Sequence, residues 1–195
     1  PDETKDSTRQ EESDARERIN NMVAVTVAIL ACFMAITKVK DDNICQAMER
    51  EKANEVNTWS YFQSKSIKQN LAELGQAQLE SLAISTSGDT RAQIEVQVAR
   101  YKKEIARYET EMTEIKAKAV QHGKNYTELN FRDDQFDMSD ATLSIALVML
   151  AVTALTHKRW LLGVGWAVGG IGALIGMAGL CGWNIHFEWL VKLLS

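Results

Sequence analysis

The chain has 195 residues, with 22 Lys plus Arg against 26 Asp plus Glu and a formal net charge of -4. That weak acidity excludes a strongly basic nucleic-acid binder, and three cysteines are too few, and odd in number, for a disulfide-rich secreted scaffold. The charges are also segregated, which excludes an ordinary soluble globule: residues 19–37, 141–157 and 160–187 contain no Asp, Glu, Lys or Arg.

Pro1 reads as the residue left when an initiator Met is removed, so no cleaved leader is expected. Residues 1–18 are charged and nearly free of large apolar groups. They cannot bury enough surface to offset chain entropy, and the expectation is a disordered tail or a frayed helix. Residues 19–37 are uncharged and bounded by Arg18 and Lys38. A helix needs ~20 residues to cross ~30 Å of hydrocarbon, so this run predicts the first membrane span. A signal-peptide core is usually only ~7–15 residues long, with a cleavage site after it. Ala24, Ala28, Ala31 and Ala35 recur at helical spacing and form a stripe of small groups suited to close helix contact.

Residues 38–138 predict a helical hairpin with its connector. No Pro and one Gly, Gly75, occur before the breaker cluster Ser85-Thr86-Ser87-Gly88-Asp89. Beyond it, Ile94, Val98, Tyr101, Ile105, Tyr108, Met112, Ile115, Ala119 and His122 alternate at spacings of four and three, the pattern of a coiled coil. The first arm is less regular: Ile44, Met48, Val56, Trp59, Ile67, Leu71, Leu74 and Leu82 form an approximate stripe. Folding at Gly88 predicts Leu71 near Tyr101, Ile67 near Ile105 and Trp59 near Ile115. Gln63 then lies near the seam or faces solvent.

Residues 123–139 read as a connector. Asp133, Asp134 and Asp137 in it are candidates for an acidic vestibule or cation site. Their spacing fits no calcium loop, and capping of the following helix, with Ser139 at its N-cap, explains them more simply. Asn125-Tyr126-Thr127 is a weak glycosylation sequon.

Residues 139–157 predict the second span, His157-Lys158-Arg159 a tight basic turn, and 160–183 the third span, with Trp160 and Trp183 at its ends as interfacial belts. Eight of the 11 glycines lie in this last segment. Gly165, Gly169, Gly172, Gly176 and Gly179 fall at spacings of four, three, four and three, so one helix face is bare backbone. Close packing of another helix is its best use, either the Ala stripe of the first span or a neighbouring copy. Residues 184–195 suggest a short interfacial helix carrying Trp189, Leu190, Leu193 and Leu194. Lys158 and Arg159 in a short loop predict a cytoplasmic turn, which puts the N-terminus inside and the hairpin outside. Lys38 and Lys40 weigh against this.

No residue pattern supports catalysis, a cofactor or a metal. Cys32 and Cys181 read as apolar span residues and Cys45 as a free thiol beside the membrane. His122, His157 and His186 are scattered.

The segment Trp59-Ser-Tyr-Phe62-Gln63-Ser-Lys65-Ser66-Ile67-Lys68-Gln-Asn-Leu71 resembles the signature of a bacterial membrane family catalogued only as a domain of unknown function. Its members have one span after a short charged N-terminus, a helical region opening with this aromatic-Gln-x-Lys motif, and a C-terminal pair of spans with a basic turn and a Gly-rich last helix. The turn here is His157-Lys158-Arg159-Trp160, and the resemblance covers about residues 19–183. It implies a bacterial inner-membrane setting and no activity. It marks Trp59, Phe62, Gln63 and Lys65 as a candidate recognition face, with seam packing as the simpler role for the same residues.

The expectation is an all-α membrane protein: three transmembrane helices plus an antiparallel extramembrane coiled-coil hairpin. Its expected role is a non-enzymatic scaffold in contact with lipid. It would be a homo-oligomer or an accessory subunit of a larger membrane complex, assembled through the Gly face and the hairpin. An oligomeric channel is the alternative, and a sensor acting through a partner the third reading.

Overall fold

The computed structural model describes residues 3–183, with the side chains of 3–9 and 12 left aside. Three helices account for nearly all of it, and no strand occurs among the described residues: α1 Glu3–Ile84, α2 Asp89–Thr156 and α3 Arg159–Cys181. Each contains a stretch long and apolar enough to cross a membrane, by length and composition. The expected interfacial segment 184–195 lies outside the described residues. The chain divides into two units, residues 1–46 with 128–195, and residues 47–127.

Residues 3–18 are helical, one of the two states expected for the tail, and run on into α1. A second difference is that residues 123–139 continue α2 rather than forming a connector. The second change has a plain cause. From Gly123 to Ser139 the chain has no Pro and one Gly, so no strong breaker stops the helix; six of these 17 residues are strong helix formers, and packing of Phe136 and Ser139 on α3 holds the rest. Ser139 is therefore an interior residue of α2, not an N-cap.

The first unit is a three-helix bundle. Its core joins Ile19, Val23 and Leu30 of α1, Leu143, Ala146 and Leu150 of α2 and Leu162 of α3. The glycine face of α3 is filled from α2. A Cβ at Gly165 would meet Leu150, at Gly169 Ala146, at Gly172 Leu143, at Gly176 Ser139 and at Gly179 Phe136. The partner numbers fall as the glycine numbers rise, so two antiparallel stripes mesh residue for residue. Leu30 and Phe33 of α1 close over Gly169 and Gly176. Bare backbone also exposes carbonyls. Ser139 Oγ donates to the Gly172 carbonyl at 2.8 Å, and Trp166 Nε1 donates to Thr26 Oγ1 at 3.0 Å. The Ala stripe is not the partner: Ala24, Ala28, Ala31 and Ala35 are all exposed. They lie on the far side of α1 from Ile19, Val23 and Leu30.

The tight turn rests on His157 at φ 54°, whose N–H bonds the Thr153 carbonyl. At the other end, Gly182 takes the left-handed conformation (φ 70°), and the N–H groups of Gly182 and Trp183 return to the Gly179 and Ala178 carbonyls. Arg132 and Gln135 of α2 donate to the Gly179 and Trp183 carbonyls. Outside, the bundle is aliphatic: Val25, Ile29, Ile145, Val148, Leu155, Ile171 and Leu174 are all exposed.

The second unit is an antiparallel helical hairpin turned at Gly88 (φ 70°). All nine stripe residues of its second arm, Ile94 to His122, are buried or half-buried. The first arm differs from expectation. Its inward positions are Met48, Glu51, Glu55, Thr58, Phe62, Lys65, Gln69, Ala72, Gln76, Leu79 and Ala83, alternating by three and four. Ile67 and Leu71, expected in the seam, are 60% and 62% exposed. Gly75 rather than Leu71 lies against Tyr101, whose ring atoms come within 3.0–3.3 Å of a Cβ built there. A residue without a side chain admits the ring, and this shifts the register by about one turn.

The glycine contacts predict graded costs. Gly176→Leu should destabilise the bundle by about 1–3 kcal/mol or more, because even a Cβ falls 2.6 Å from Ser139 Oγ and 2.9 Å from Phe33. Gly163 and Gly170 have open space around them, and alanine there should stabilise by ~0.5–1 kcal/mol. Thermal unfolding in detergent of the three variants checks the order; equal effects would refute the meshed face.

Candidate functional site

Polar side chains converge at two places, one in each unit. In the hairpin, the seam itself is charged. Lys65 Nζ bonds Glu111 Oε2 at 2.6 Å and lies over the Tyr61 and Tyr108 rings at 5.3 and 5.5 Å. Glu111 holds the Lys65 ammonium above its ordinary value, and Lys65 in turn holds the Glu111 carboxyl below its own. Glu51 meets His122 Nδ1 at 2.7 Å and is likewise held low, first by that hydrogen bond. Glu55 bonds Lys52. Glu80 is held low by Gln76 and Lys102.

This separates the aromatic-Gln-x-Lys motif into roles. Phe62 and Lys65 point into the seam, and Trp59 stands edge-on to Phe62 with ring centroids 5.5 Å apart. Gln63 is exposed. Three of the four candidate recognition residues therefore pack the hairpin.

In the bundle unit, α1 continues past its apolar stretch with Lys38, Asp41 and Cys45, and α2 supplies Asp133. Asp41 is 4% exposed. Its Oδ2 accepts from Lys38 Nζ at 2.7 Å, while its Oδ1 is buried without a hydrogen-bond partner. The Cys45 thiol donates to Asp133 Oδ1 at 3.0 Å. One donor atom from each of Asp41, Cys45 and Asp133 lies within 4.8 Å of the others, the group among the described residues that could hold a metal ion.

The electrostatics follow from crowding of acids. Burial pushes the Asp133 carboxyl up, with Asp41 adding to it; burial and then Asp137 raise Asp134; burial and then Asp41 raise Asp137. The hydrogen bond to Asp133, with burial, pushes the Cys45 thiol up to about 11. Asp41 holds the Lys38 ammonium above its ordinary value.

Of the expected acidic vestibule, Asp133 enters this cluster. Asp134 is half-buried near Asn130, and Asp137 is exposed as a residue although its carboxyl is partly screened from water by its neighbours. Sequence reasoning missed Asp41 and did not connect Cys45 to Asp133, because the two helices are joined only in space. The one available signal was the four-residue step from Asp41 to Cys45, which puts both on one helix face.

The family question is decided by one match. A family model described as a domain of unknown function (DUF4337) matches residues 19–182. The chain belongs to the DUF4337 family. The match takes in all three apolar segments, the hairpin and the Asp41–Cys45–Asp133 cluster. No curated protein and no solved structure matches the chain.

The two sets of carboxyls should respond oppositely to acid. Glu51 and Glu111 have lowered folded values, so their contribution is complete above the unfolded value (about 4.3) and is lost as pH falls through the folded one. Asp133, Asp134 and Asp137 have raised folded values, so the folded protein binds their protons more tightly than the unfolded chain. Their effect favours folding at low pH and fades as pH rises through those raised values. Acidification from neutral should therefore first raise amide protection around 130–143 and then, below about pH 4, lower it in residues 47–127. Hydrogen exchange corrected for its intrinsic pH dependence reads both; a parallel loss would refute the assignment.

Proposed function

We propose that this chain is a non-enzymatic membrane scaffold that assembles with a second copy of itself through the outer face of its hairpin, used as a coiled coil. The observation that carries this is an inversion in the first arm. Its seam positions hold Glu51, Glu55, Lys65, Gln69 and Gln76, while Val56, Ile67, Leu71, Leu74 and Leu82 are 51–62% exposed on the opposite face. Ser60, Gln63, Asn70, Gln78 and Ser81 complete that face without a charge. An aliphatic strip free of charge has the composition of an interface centre.

The strip is also its own complement. Laid antiparallel about position 69, Val56 falls opposite Leu82 and Ile67 opposite Leu71. A two-fold pairing of this kind needs the same patch on both copies, and this spacing supplies it. The Gly face plays a different part in this proposal from the expected one, since α2 fills it within the chain. It knits the bundle, and the hairpin carries assembly.

Three charge-free stretches, an aliphatic bundle exterior and terminal Trp160 and Trp183 support a membrane setting with lipid as the contact. The resemblance of the aromatic-Gln-x-Lys segment supports a bacterial inner membrane. Lys158 and Arg159 in a two-helix turn support a cytoplasmic turn, hence a periplasmic hairpin. Lys38 and Lys40 weigh against this orientation.

The test is the mass and composition of the particle extracted gently from membrane, with and without Ile67→Glu plus Leu71→Glu. Both residues are exposed, so the hairpin should keep its helicity. A multi-copy particle of this chain alone, dispersed to single copies by the pair of substitutions, is the expected result. A single-copy particle, or assembly indifferent to the substitutions, would overturn self-assembly. A second kind of chain, lost with the substitutions, would make this an accessory subunit instead.

A further inference from the structure

We propose that Asp41, Cys45 and Asp133 form a binding site for a divalent transition-metal ion of the zinc class. The argument begins with placement. Asp41 and Cys45 are one helical turn apart on α1 and share a face, and Asp133 comes from α2 of the same bundle unit. One donor atom from each falls within 4.8 Å of the others, and the Cys45 sulfur is already 3.0 Å from Asp133 Oδ1. Zinc binds sulfur at ~2.3 Å and carboxylate oxygen at ~2.0–2.2 Å, so its donors stand roughly 3–4 Å apart. Small side-chain rotations bring this trio to that spacing.

A second observation is independent of the clustering. Asp41 is buried, and its Oδ1 has no N–H or O–H donor; the Asp133 carboxyl beside it can bond it only by holding a proton. A buried carboxylate oxygen without a partner is unfavourable, and buried charges are paired or coordinate metals. Lys38 satisfies only the other oxygen. An ion between Asp41, Cys45 and Asp133 would supply the missing partner.

The charge count agrees. Two carboxylates and a thiolate carry three negative charges, and Lys38, which also pairs with Asp42, returns one. Asp137 adds to the negative charge around Asp133, so a divalent cation relieves an acidic excess. Binding would release the Cys45 thiol proton, and any proton held between the two carboxyls, to solvent as the metal–sulfur bond forms; nothing is oxidised or reduced. The donor set selects the metal class. Calcium and magnesium take oxygen ligands, whereas a thiolate with carboxylates suits zinc or cobalt. Three protein ligands leave a fourth position open to water or another group.

The experiment uses the full chain in detergent, stripped with a chelator and titrated with cobalt(II). Wild type should develop the near-ultraviolet thiolate-to-cobalt charge-transfer band with one ion per chain, and zinc should displace the cobalt and erase the band. Cys45→Ser should abolish the band. Asp133→Asn should weaken cobalt binding about tenfold or more, since even loss of a group supporting a ligand costs ~10–100-fold. Glu109→Gln, exposed and in the hairpin unit, should leave binding unchanged. A wild-type chain without the band would overturn the proposal and leave the carboxyls sharing a proton. A band that survives Cys45→Ser, or binding indifferent to Asp133→Asn while circular dichroism reports the same helicity, would overturn it equally.

Discussion

Five glycines of α3 each receive one residue of α2, and the bundle unit depends on that meshing. Gly165 takes Leu150, Gly169 takes Ala146, Gly172 takes Leu143, Gly176 takes Ser139 and Gly179 takes Phe136. In the membrane setting proposed for this chain, the hydrophobic effect between helices gives little, since lipid tails are as apolar as Leu. Association rests on close packing and on polar contacts between backbones and small side chains. Removing side chains from one face provides both. Leu143 and Leu150 become fully buried, and the Gly172 carbonyl becomes reachable by Ser139. The same approach of helices carries Leu30 and Phe33 over the glycines, which fixes which face of α1 turns inward.

That last consequence explains the buried acid. The inward face of α1 runs through Ile19, Val23, Leu30 and Thr37 to Asp41 and Ile44, in helical steps. Asp41 is buried because it occupies the next position of a face chosen by packing elsewhere. A carboxylate so placed persists when its surroundings compensate it. Lys38 compensates one oxygen. The crowding of Asp133 and Cys45 against the other side is the feature that distinguishes this cluster from the ordinary charge of the hairpin surface.

Much of the architecture was legible in the sequence because it is written in apolar periodicity or in gaps between charges. The three charge-free runs mark the apolar stretches. The second arm's stripe from Ile94 to His122 is inward throughout, since every seam position carries an apolar or weakly polar group. The first arm misled for the opposite reason. Its seam is built of Glu51, Glu55, Lys65 and Gln69; Glu51 meets His122 and Lys65 meets Glu111 across the hairpin, and a reader following hydrophobicity selects the outer face instead. The glycine stripe announced a contact but not its partner. The signal was present: Phe136, Ser139, Leu143, Ala146 and Leu150 have the same three-and-four spacing and read backwards onto the glycines. It was hidden by taking residues 123–139 for a connector, which cut the α2 stripe in two.

The candidate metal site was illegible for a deeper reason. Metal motifs are recognised in sequence when two ligands and their spacing lie on one element, with the rest close by. Here one element gives Asp41 and Cys45, a pair too common to notice, and the third donor lies 88 residues on. What distinguishes the group is burial of one carboxylate and the lack of a donor at its Oδ1, properties of packing alone. The seam of the hairpin makes the contrast. Glu51, Glu55 and Glu111 are also turned inward, but each meets a His or Lys, and their negative charges are answered by the chain itself. Around Asp41 and Asp133 the chain supplies one ammonium, shared with Asp42, for two carboxylates and a thiol. The shortfall of positive charge at one place, in a protein that balances it elsewhere, is the physical ground on which an added cation is argued.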